Sequence, residues 1–94
     1  MSPYEFDPLK DEANRRKHAV PLPMGIQVFD GDYIEEQDTR IDYGEPRFAA
    51  MGPVAALGGR ICVCVYTWRD AKRRLISFRK ANDEEIARYR ASHT

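Results

Sequence analysis

The sequence predicts a single α+β domain, with helices packed on one face of a small antiparallel sheet and the element order β-α-α-β-β-β-α. The chain has 94 residues, the length of one domain, so residues 1–94 are expected to share one core. Hydrophobic residues make up 43% of the chain, enough to fill such a core without disulfides or metals. Helix caps occur near both ends, and three strand-like runs follow one another in the second half.

The first half of the chain predicts one strand and two helices. Tyr4–Phe6 alternates apolar and polar side chains, which is typical of a short strand. Asp7 and Pro8 form an N-cap followed by proline at the first helical position, so a helix is expected over Pro8–His18. A second, short helix is predicted within residues 20–29, although two prolines and a glycine weaken its helical tendency.

The second half predicts three strands and a final helix. The acidic residues 30–44 come first and indicate a long surface loop with room for one short strand. A capping-box pattern of Asn82 and Glu85 predicts the start of the last helix. The predicted strands, joined by turn residues that suit antiparallel hairpins, are Pro46–Gly52, Arg60–Trp68 and Arg73–Lys80.

Alternation along the last strand predicts which of its side chains face the core. Successive side chains of a strand point to opposite faces, so a period of two divides them into two sets. The set that contains Ile76 and Phe78 is expected to pack inward, and the other set is expected to face solvent. The two sets are Leu75, Ser77 and Arg79 on the open side, and Arg74, Ile76, Phe78 and Lys80 on the inner side.

Charge is unevenly distributed along the chain, although the net charge is zero. Residues 30–47 contain seven acids against two bases, whereas residues 60–80 contain seven bases against one acid. A basic sheet can collect phosphates while an acidic loop keeps the overall charge neutral. The distribution is therefore compatible with a polyanionic partner.

Several protein classes are excluded by what the sequence lacks. No apolar run is long enough to span a membrane and no signal-peptide pattern is present, so a cytoplasmic protein without membrane contact is expected. No phosphate-binding glycine loop, zinc-binding helix motif or nucleophile elbow occurs. Cys62 and Cys64 are interpreted as buried, reduced thiols, because His18 and His93 lack metal-ligand spacing. Neither a metal nor a cofactor is expected.

Arginines on neighbouring predicted strands, with Ser77 among them, have the clearest chemical potential. A guanidinium stays charged and binds phosphate oxygens as a planar fork, although basic residues on strands are also common solvated surface. His18 titrates near neutrality and could move protons, or it could cap its helix. Tyr89 could donate a proton or pack with its hydroxyl at the rim of the core. Trp68 could stack on a base or cover the edge of the core.

Short motifs spread over nearly the whole chain resemble the BrnT family of toxins. In the first half these motifs are Phe6–Asp7–Pro8, Asn14–x–x–Lys17–His18–x–Val20 and Val28–Phe29–Asp30. In the second half they are Gly44–Glu45–x–Arg47, Gly52, Val65–Tyr66–Thr67–x–Arg69, Arg74–Leu75–Ile76–Ser77–x–Arg79–x–Ala81 and Glu85–x–x–x–Tyr89. Their order and spacing together carry the resemblance.

The resemblance implies a RelE-like fold and an endoribonuclease that inhibits translation as the toxin of a type II toxin–antitoxin system. RNA would lie on the open sheet face beside the last helix. The catalytic candidates are then Arg69, Arg79, Tyr89 and His18. The RNA-binding candidates are Lys17, Arg47, Arg74, Ser77 and Lys80. Because no metal-ligand cluster accompanies the basic strands, cleavage is expected to need no metal ion.

The resemblance also implies a partner, a BrnA-like antitoxin with a ribbon-helix-helix part. Such antitoxins bind operator DNA as dimers, so the expected complex is a heterotetramer of two toxins and two antitoxins. The toxin alone is expected to be a monomer, and to reach the operator only through the antitoxin. The alternative is a non-catalytic RNA-binding or protein-interaction module, because binding and cleaving RNA call for the same cations.

Overall fold

A five-stranded sheet forms the centre of the protein in a computed structural model that describes residues 2–39 and 42–93. The strand order is β1-β5-β4-β3-β2. Neighbouring strands pair antiparallel, except that β1 pairs parallel with β5, which corrects the expected all-antiparallel sheet. The strands are β1 (Tyr4–Phe6), β2 (Ile34–Asp38), β3 (Arg47–Val54), β4 (Arg60–Arg69) and β5 (Lys72–Lys80).

Two α-helices begin where their capping residues predict. Helix α1 spans Pro8–His18, and the Asp7 side chain accepts a hydrogen bond of 2.8 Å from the Leu9 backbone N–H. Helix α2 spans Asp83–Ala91 and begins with the predicted capping box. In that box the Asn82 and Glu85 side chains each accept from the other's backbone N–H at 2.9 Å.

The predicted second helix is a 3₁₀ helix, Leu22–Asp30, which follows Pro21 and contains Pro23. Gly25 lies in the middle of it, directly over the sheet. A Cβ atom at Gly25 would approach the Cys64 Sγ atom to 2.9 Å and the Phe78 ring to 3.3 Å. Glycine is therefore required here, because only a residue without a side chain lets the helix lie this close to the sheet.

The helices cover both faces of the sheet, which corrects the prediction of helices on one face. The 3₁₀ helix packs its buried Leu22 and Val28 against Cys64, Tyr66 and other side chains of one face, and α1 lies along the outer edge of β5. Helix α2 packs on the opposite face, where a smaller cluster of buried residues consists of Met51, Val63, Ala81 and Tyr89. The first face is called the inner face below, and the second is called the open face.

A β-bulge in β5 changes the predicted division of its side chains. Val65 pairs with Ser77 and Tyr66 pairs with Leu75, so Ile76 has no partner in the register. Leu75 therefore lies on the inner face with Phe78, and both side chains are fully buried. The prediction that Leu75 shares a face with Ser77 and Arg79, and Arg74 with Ile76 and Phe78, is wrong because the bulge shifts the alternation by one residue.

The acidic segment contributes the short strand for which the prediction left room. Strand β2 pairs with β3 at the edge of the sheet, with Ile34 opposite Met51 and Asp38 opposite Arg47. Ile34 packs against the small cluster under α2, whereas Glu35 and Glu36 are exposed. An edge strand that carries acids on both sides is protected from pairing with other chains.

Asn14 fastens α1 to the edge of β5 and is 4% exposed. Its Nδ2 atom donates to the backbone oxygens of Val20 (2.9 Å) and Phe78 (2.8 Å), and its Oδ1 atom accepts from the Phe78 N–H at 2.9 Å. The side chain thus pairs with Phe78 in the way that a neighbouring strand would. Without it, three buried backbone groups would lose their partner.

We predict that Asn14→Ala lowers the free energy of unfolding by about 2–4 kcal/mol, because it leaves buried donors and acceptors unsatisfied. Denaturant unfolding of the purified variant measures this loss. Glu12→Ala on the same helix is the control. The Glu12 side chain is 63% exposed and its carboxylate lies 4.0 Å from Arg16, so this surface pair is weak. The control should change the free energy of unfolding by less than about 0.5 kcal/mol. Equal losses in the two variants would contradict the anchoring role of Asn14.

Candidate functional site

Five of the nine predicted site residues are strand residues whose side chains lie on the open face, and a sixth, Tyr89, belongs to α2, which packs on this face. The register places Arg79 beside Val63, Ser77 beside Val65 and Arg74 beside Thr67, in successive rows across β5 and β4. The bulge brings Arg74 to this face, so that it joins Ser77 and Arg79. The five strand residues of this set are Arg47, Arg69, Arg74, Ser77 and Arg79.

A cleft of about 480 Å³ lies on the open face between β2 and α2. Its floor consists of small and apolar side chains, Ala49, Met51, Val63 and Val65. Charged side chains of both signs surround this floor, and Arg88 of α2 lies 3.4 Å from Glu36 of β2. The charged residues at the cleft include Glu35, Glu36, Asp38, Arg79, Glu85 and Arg88.

Arg79 is held at this cleft by a two-pronged ion pair with Glu85. Its Nη1 and Nη2 atoms donate to the two carboxylate oxygens at 2.7 and 2.8 Å. The Arg79 side chain is 34% exposed and that of Glu85 is 12% exposed. The hydrogen bond from Arg79 lowers the pKa of Glu85 to about 2, so the pair is charged at neutral pH. Glu85 thereby fixes the plane of the Arg79 guanidinium at the cleft.

Two other cations of the open face are paired with acids from neighbouring elements. The Arg74 Nη1 atom donates to Glu5 on β1 at 2.9 Å, a contact that follows from their direct pairing in the parallel register. The Arg69 Nη2 atom lies 3.4 Å from Glu45 in the loop before β3. The guanidinium of Arg47 lies 3.8 Å from the centre of the Tyr43 ring. These contacts place the cations and partly neutralise them.

Tyr89 is 9% exposed and packs in the cluster under α2. Its hydroxyl donates to the backbone oxygen of Asp32 at 2.5 Å, and its ring stacks on His93 with centroids 4.2 Å apart. Burial and the charge of Asp32 raise the pKa of Tyr89. These contacts match the alternative in which Tyr89 is a core residue with its hydroxyl at the rim.

His18 is the last residue of α1 and is partly buried near the edge of β5. Burial lowers the pKa of His18, and the positive charges of Lys17 and Arg79 lower it further. The imidazole is therefore mainly neutral at neutral pH, the form that accepts a proton. Lys17 is exposed on the same helical turn, and Lys80 is exposed at the end of β5. These three residues lie outside the five on the open face.

A family model described as the ribonuclease toxin BrnT of type II toxin–antitoxin systems matches residues 6–85. The chain belongs to the BrnT family. The crystal structure of the Brucella abortus ribonuclease toxin BrnT is similar, with a TM-score of 0.61 and 19% identity over 85% of this chain and 96% of that one. This likeness shows the shared fold. A search of curated proteins finds no significant match.

Arg73 is a residue of this BrnT-family chain that the sequence analysis did not select as a site residue. Its guanidinium lies on the inner face among the aromatic rings of Phe29, Tyr66 and Trp68, at 4.2, 5.2 and 4.7 Å from their centres. The Tyr66 hydroxyl donates to Glu35 at 2.5 Å, and burial is the main cause that raises the pKa of Tyr66 to about 12. The sequence contains a signal for this cluster, because Tyr66 and Trp68 lie two residues apart on β4 and share the face of Arg73.

The described part of this BrnT-family chain has neither a metal-ligand cluster nor a membrane-spanning helix. Within residues 2–39 and 42–93, no group of three or more histidine, cysteine or acidic side chains could hold a metal ion. In the same part of the chain, no helix is long and apolar enough to cross a membrane. Cys62 and Cys64 are buried free thiols, as the sequence analysis predicted.

We predict that Glu85→Gln flattens the loss of stability in acid. The pKa of Glu85 lies below its ordinary value of 4.5, so the unfolded chain takes up the proton first. The contribution of the pair is therefore present above about pH 5 and is lost as the pH falls towards 2. Glutamine keeps one acceptor oxygen for the capping box, so the variant removes the charge and one of the two hydrogen bonds from Arg79. Glu85→Gln should lower the free energy of unfolding at pH 7 by about 1–2 kcal/mol. The loss is no larger because water screens the partly exposed Arg79.

Unfolding by denaturant at a series of pH values measures this difference. Wild type and Glu85→Gln should converge in stability as the pH is lowered. The control is Glu84→Gln in the same helical turn, whose side chain is exposed and which should keep the wild-type slope. An offset between wild type and Glu85→Gln that stays constant down to pH 2 would show that the Glu85 charge does not stabilise the fold.

Proposed function

We propose that this BrnT-family chain is an endoribonuclease that cleaves RNA on the open face without a metal ion and thereby inhibits translation. Ribonuclease toxins are the family to which the chain belongs. The observation that carries the assignment to this face is the position of Arg79. Its guanidinium is fixed by Glu85 at the cleft, on the same face as Ser77, Arg74 and Arg69. We further propose that the fold is RelE-like.

The proposed reaction is attack of the 2′-hydroxyl oxygen on the adjacent phosphorus. The new O–P bond forms as the bond to the 5′-oxygen breaks, which leaves a 2′,3′-cyclic phosphate and a free 5′-hydroxyl. The transition state carries extra negative charge on the phosphoryl oxygens. Arg79 would stabilise this charge, because a guanidinium binds such oxygens as a planar fork. Arg69 lies six residues along β4 from Val63, the partner of Arg79, and would bind a phosphate further along the RNA. RNA phosphate would then share or replace the carboxylates of Glu85 and Glu45 as partners of the two arginines.

His18 would accept the proton from the attacking hydroxyl. A general base must be neutral at the working pH, and the lowered pKa of His18 meets this condition. Tyr89 is less suited to proton transfer, because its hydroxyl is bound to the Asp32 backbone oxygen. Water would supply the proton to the leaving 5′-oxygen. Lys17 and Arg47 would contact phosphates next to the scissile one, and Lys80 would bind RNA at the edge of the open face.

We predict that purified protein cleaves single-stranded RNA in the presence of EDTA and that Arg79→Ala lowers the rate about 30- to 1000-fold. This range corresponds to about 2–4 kcal/mol of lost transition-state stabilisation. Arg79→Lys should recover only part of the rate, since a point charge does not replace a planar fork. The rate is measured on a labelled oligonucleotide, and a cyclic-phosphate end on the product checks the chemistry.

The matched control is Arg16→Ala, which removes an arginine that is 73% exposed on α1 and should leave the rate unchanged. Folding of every variant is checked by thermal unfolding, because Arg79 binds Glu85, which also caps α2. Cleavage that stops in EDTA and returns with a divalent ion would contradict metal independence. A folded Arg79→Ala variant with wild-type activity would contradict the assignment of the site.

The second candidate is a module that binds RNA or protein without cleaving it. The observation in its favour is that Arg69, Arg74 and Arg79 are each paired with an acid, which reduces their attraction for phosphate. Binding of the same oligonucleotide with no cleavage product under any condition would favour this candidate.

Membership of a type II system implies an antitoxin. We propose that the antitoxin is BrnA-like and that its ribbon-helix-helix part binds operator DNA as a dimer. The complex would contain two toxins and two antitoxins joined through the antitoxin, with each toxin otherwise a monomer. An antitoxin segment laid across the cleft would exclude RNA from Arg79.

A further inference from the structure

Trp68 exposes about half of its surface at the end of β4. It is 49% exposed, and in the described part of the chain only Leu9 is another large hydrophobic side chain classed as exposed. A tryptophan pays a large free-energy penalty for contact with water, so a half-exposed indole is typical of a surface that binds something. Trp68 has no role in the proposed cleavage reaction.

The exposed indole is held in a fixed orientation by its neighbours. Trp68 meets the Tyr66 ring at 86° with centroids 5.7 Å apart, and Tyr66 is almost fully buried. The Arg73 guanidinium lies 4.7 Å from the centre of the Trp68 ring and donates to the Tyr33 hydroxyl at 3.3 Å. An aromatic ring that is already ordered loses little conformational entropy when a ligand stacks on it.

The turn beside Trp68 brings cations to both sides of a thin hairpin tip. Asp70 and Ala71 have φ angles of 52° and 64°, and Trp68 pairs with Arg73 just before this two-residue turn. Alternation then places the next pair, Arg69 and Lys72, on the open face, opposite to Trp68 and Arg73. Residues 68–73 carry three cations and one acid.

We propose that Trp68 and Arg73 form a stacking site for an unpaired RNA base at the tip of the β4–β5 hairpin. The inference rests on the proposed function. A single strand that crosses the open face along Arg79 and Arg74 reaches Arg69 at the tip, where its next base meets the indole. Sites for single-stranded nucleic acid combine an aromatic platform with arginines in this way, and the excess of positive charge favours a nucleic acid over a protein ligand.

The chain has one tryptophan, so its intrinsic fluorescence reports on Trp68 alone. The titrant is single-stranded 2′-O-methyl RNA, which lacks the attacking hydroxyl and is not cleaved. We expect saturable quenching of the fluorescence as a base stacks on the indole. An abasic oligonucleotide of the same length and charge is the matched control and should quench several-fold less. Equal quenching by the two would overturn the proposal, since phosphates alone would account for it.

Variants separate stacking from folding. Trp68→Ala should weaken binding of labelled 2′-O-methyl RNA about tenfold, and Trp68→Phe, which keeps an aromatic face, should recover part of that affinity. Leu9→Ala, at the other exposed hydrophobic residue, should bind as wild type does. If Trp68→Ala is folded and binds RNA as tightly as wild type, the proposal is overturned. Quenching by a co-purified protein partner but not by RNA would overturn it as well.

The failures of this inference and of the proposed function are distinguishable. If wild type cleaves RNA in EDTA but base-dependent quenching is absent, the endoribonuclease proposal stands and the stacking site is overturned. If quenching depends on bases but no RNA is cleaved, the stacking site is supported and the catalytic proposal fails.

Discussion

The β-bulge at Ile76 determines the roles of the side chains on β5. Without it, strict alternation would place Arg74 on the inner face and Leu75 on the open face, apart from their present neighbours. With it, Leu75 and Phe78 both fill the core under the 3₁₀ helix, while Arg74 joins Ser77 on the open face. One unpaired residue therefore allows the same strand to supply a core on one side and a row of cations on the other.

The cations of this row are also structural contacts, which explains how a protein of zero net charge presents arginines on one face. Arg79 connects β5 to α2, Arg74 connects β5 to β1, and Arg69 connects β4 to the preceding loop. Each pair fixes a guanidinium at the cost of some of its long-range attraction for phosphate. The open face therefore binds a ligand through the fixed positions of its arginines, and not through a large net positive charge.

The sequence was informative where a local rule applied. The caps and Pro8 set the starts of α1 and α2, and strand-like runs between turn residues located β3, β4 and β5. The bulge and the parallel pairing of β1 were not predictable, because both depend on contacts between residues distant in sequence. The partners Glu5 and Glu85 were missed as site residues for the same reason, whereas the family motifs did contain Arg74, Ser77 and Arg79.

The central claim is that RNA lies on the open face and leaves it over the β4–β5 hairpin. Amide chemical-shift mapping by NMR, on isotope-labelled protein titrated with 2′-O-methyl RNA, tests this claim most directly. We predict saturable shifts concentrated at Val65, Ser77, Arg79 and the hairpin residues 68–73. Leu22 and Val28, in the 3₁₀ helix that packs on the inner face, should change little. Shifts centred on the 3₁₀ helix, with none at Ser77 or Arg79, would contradict it.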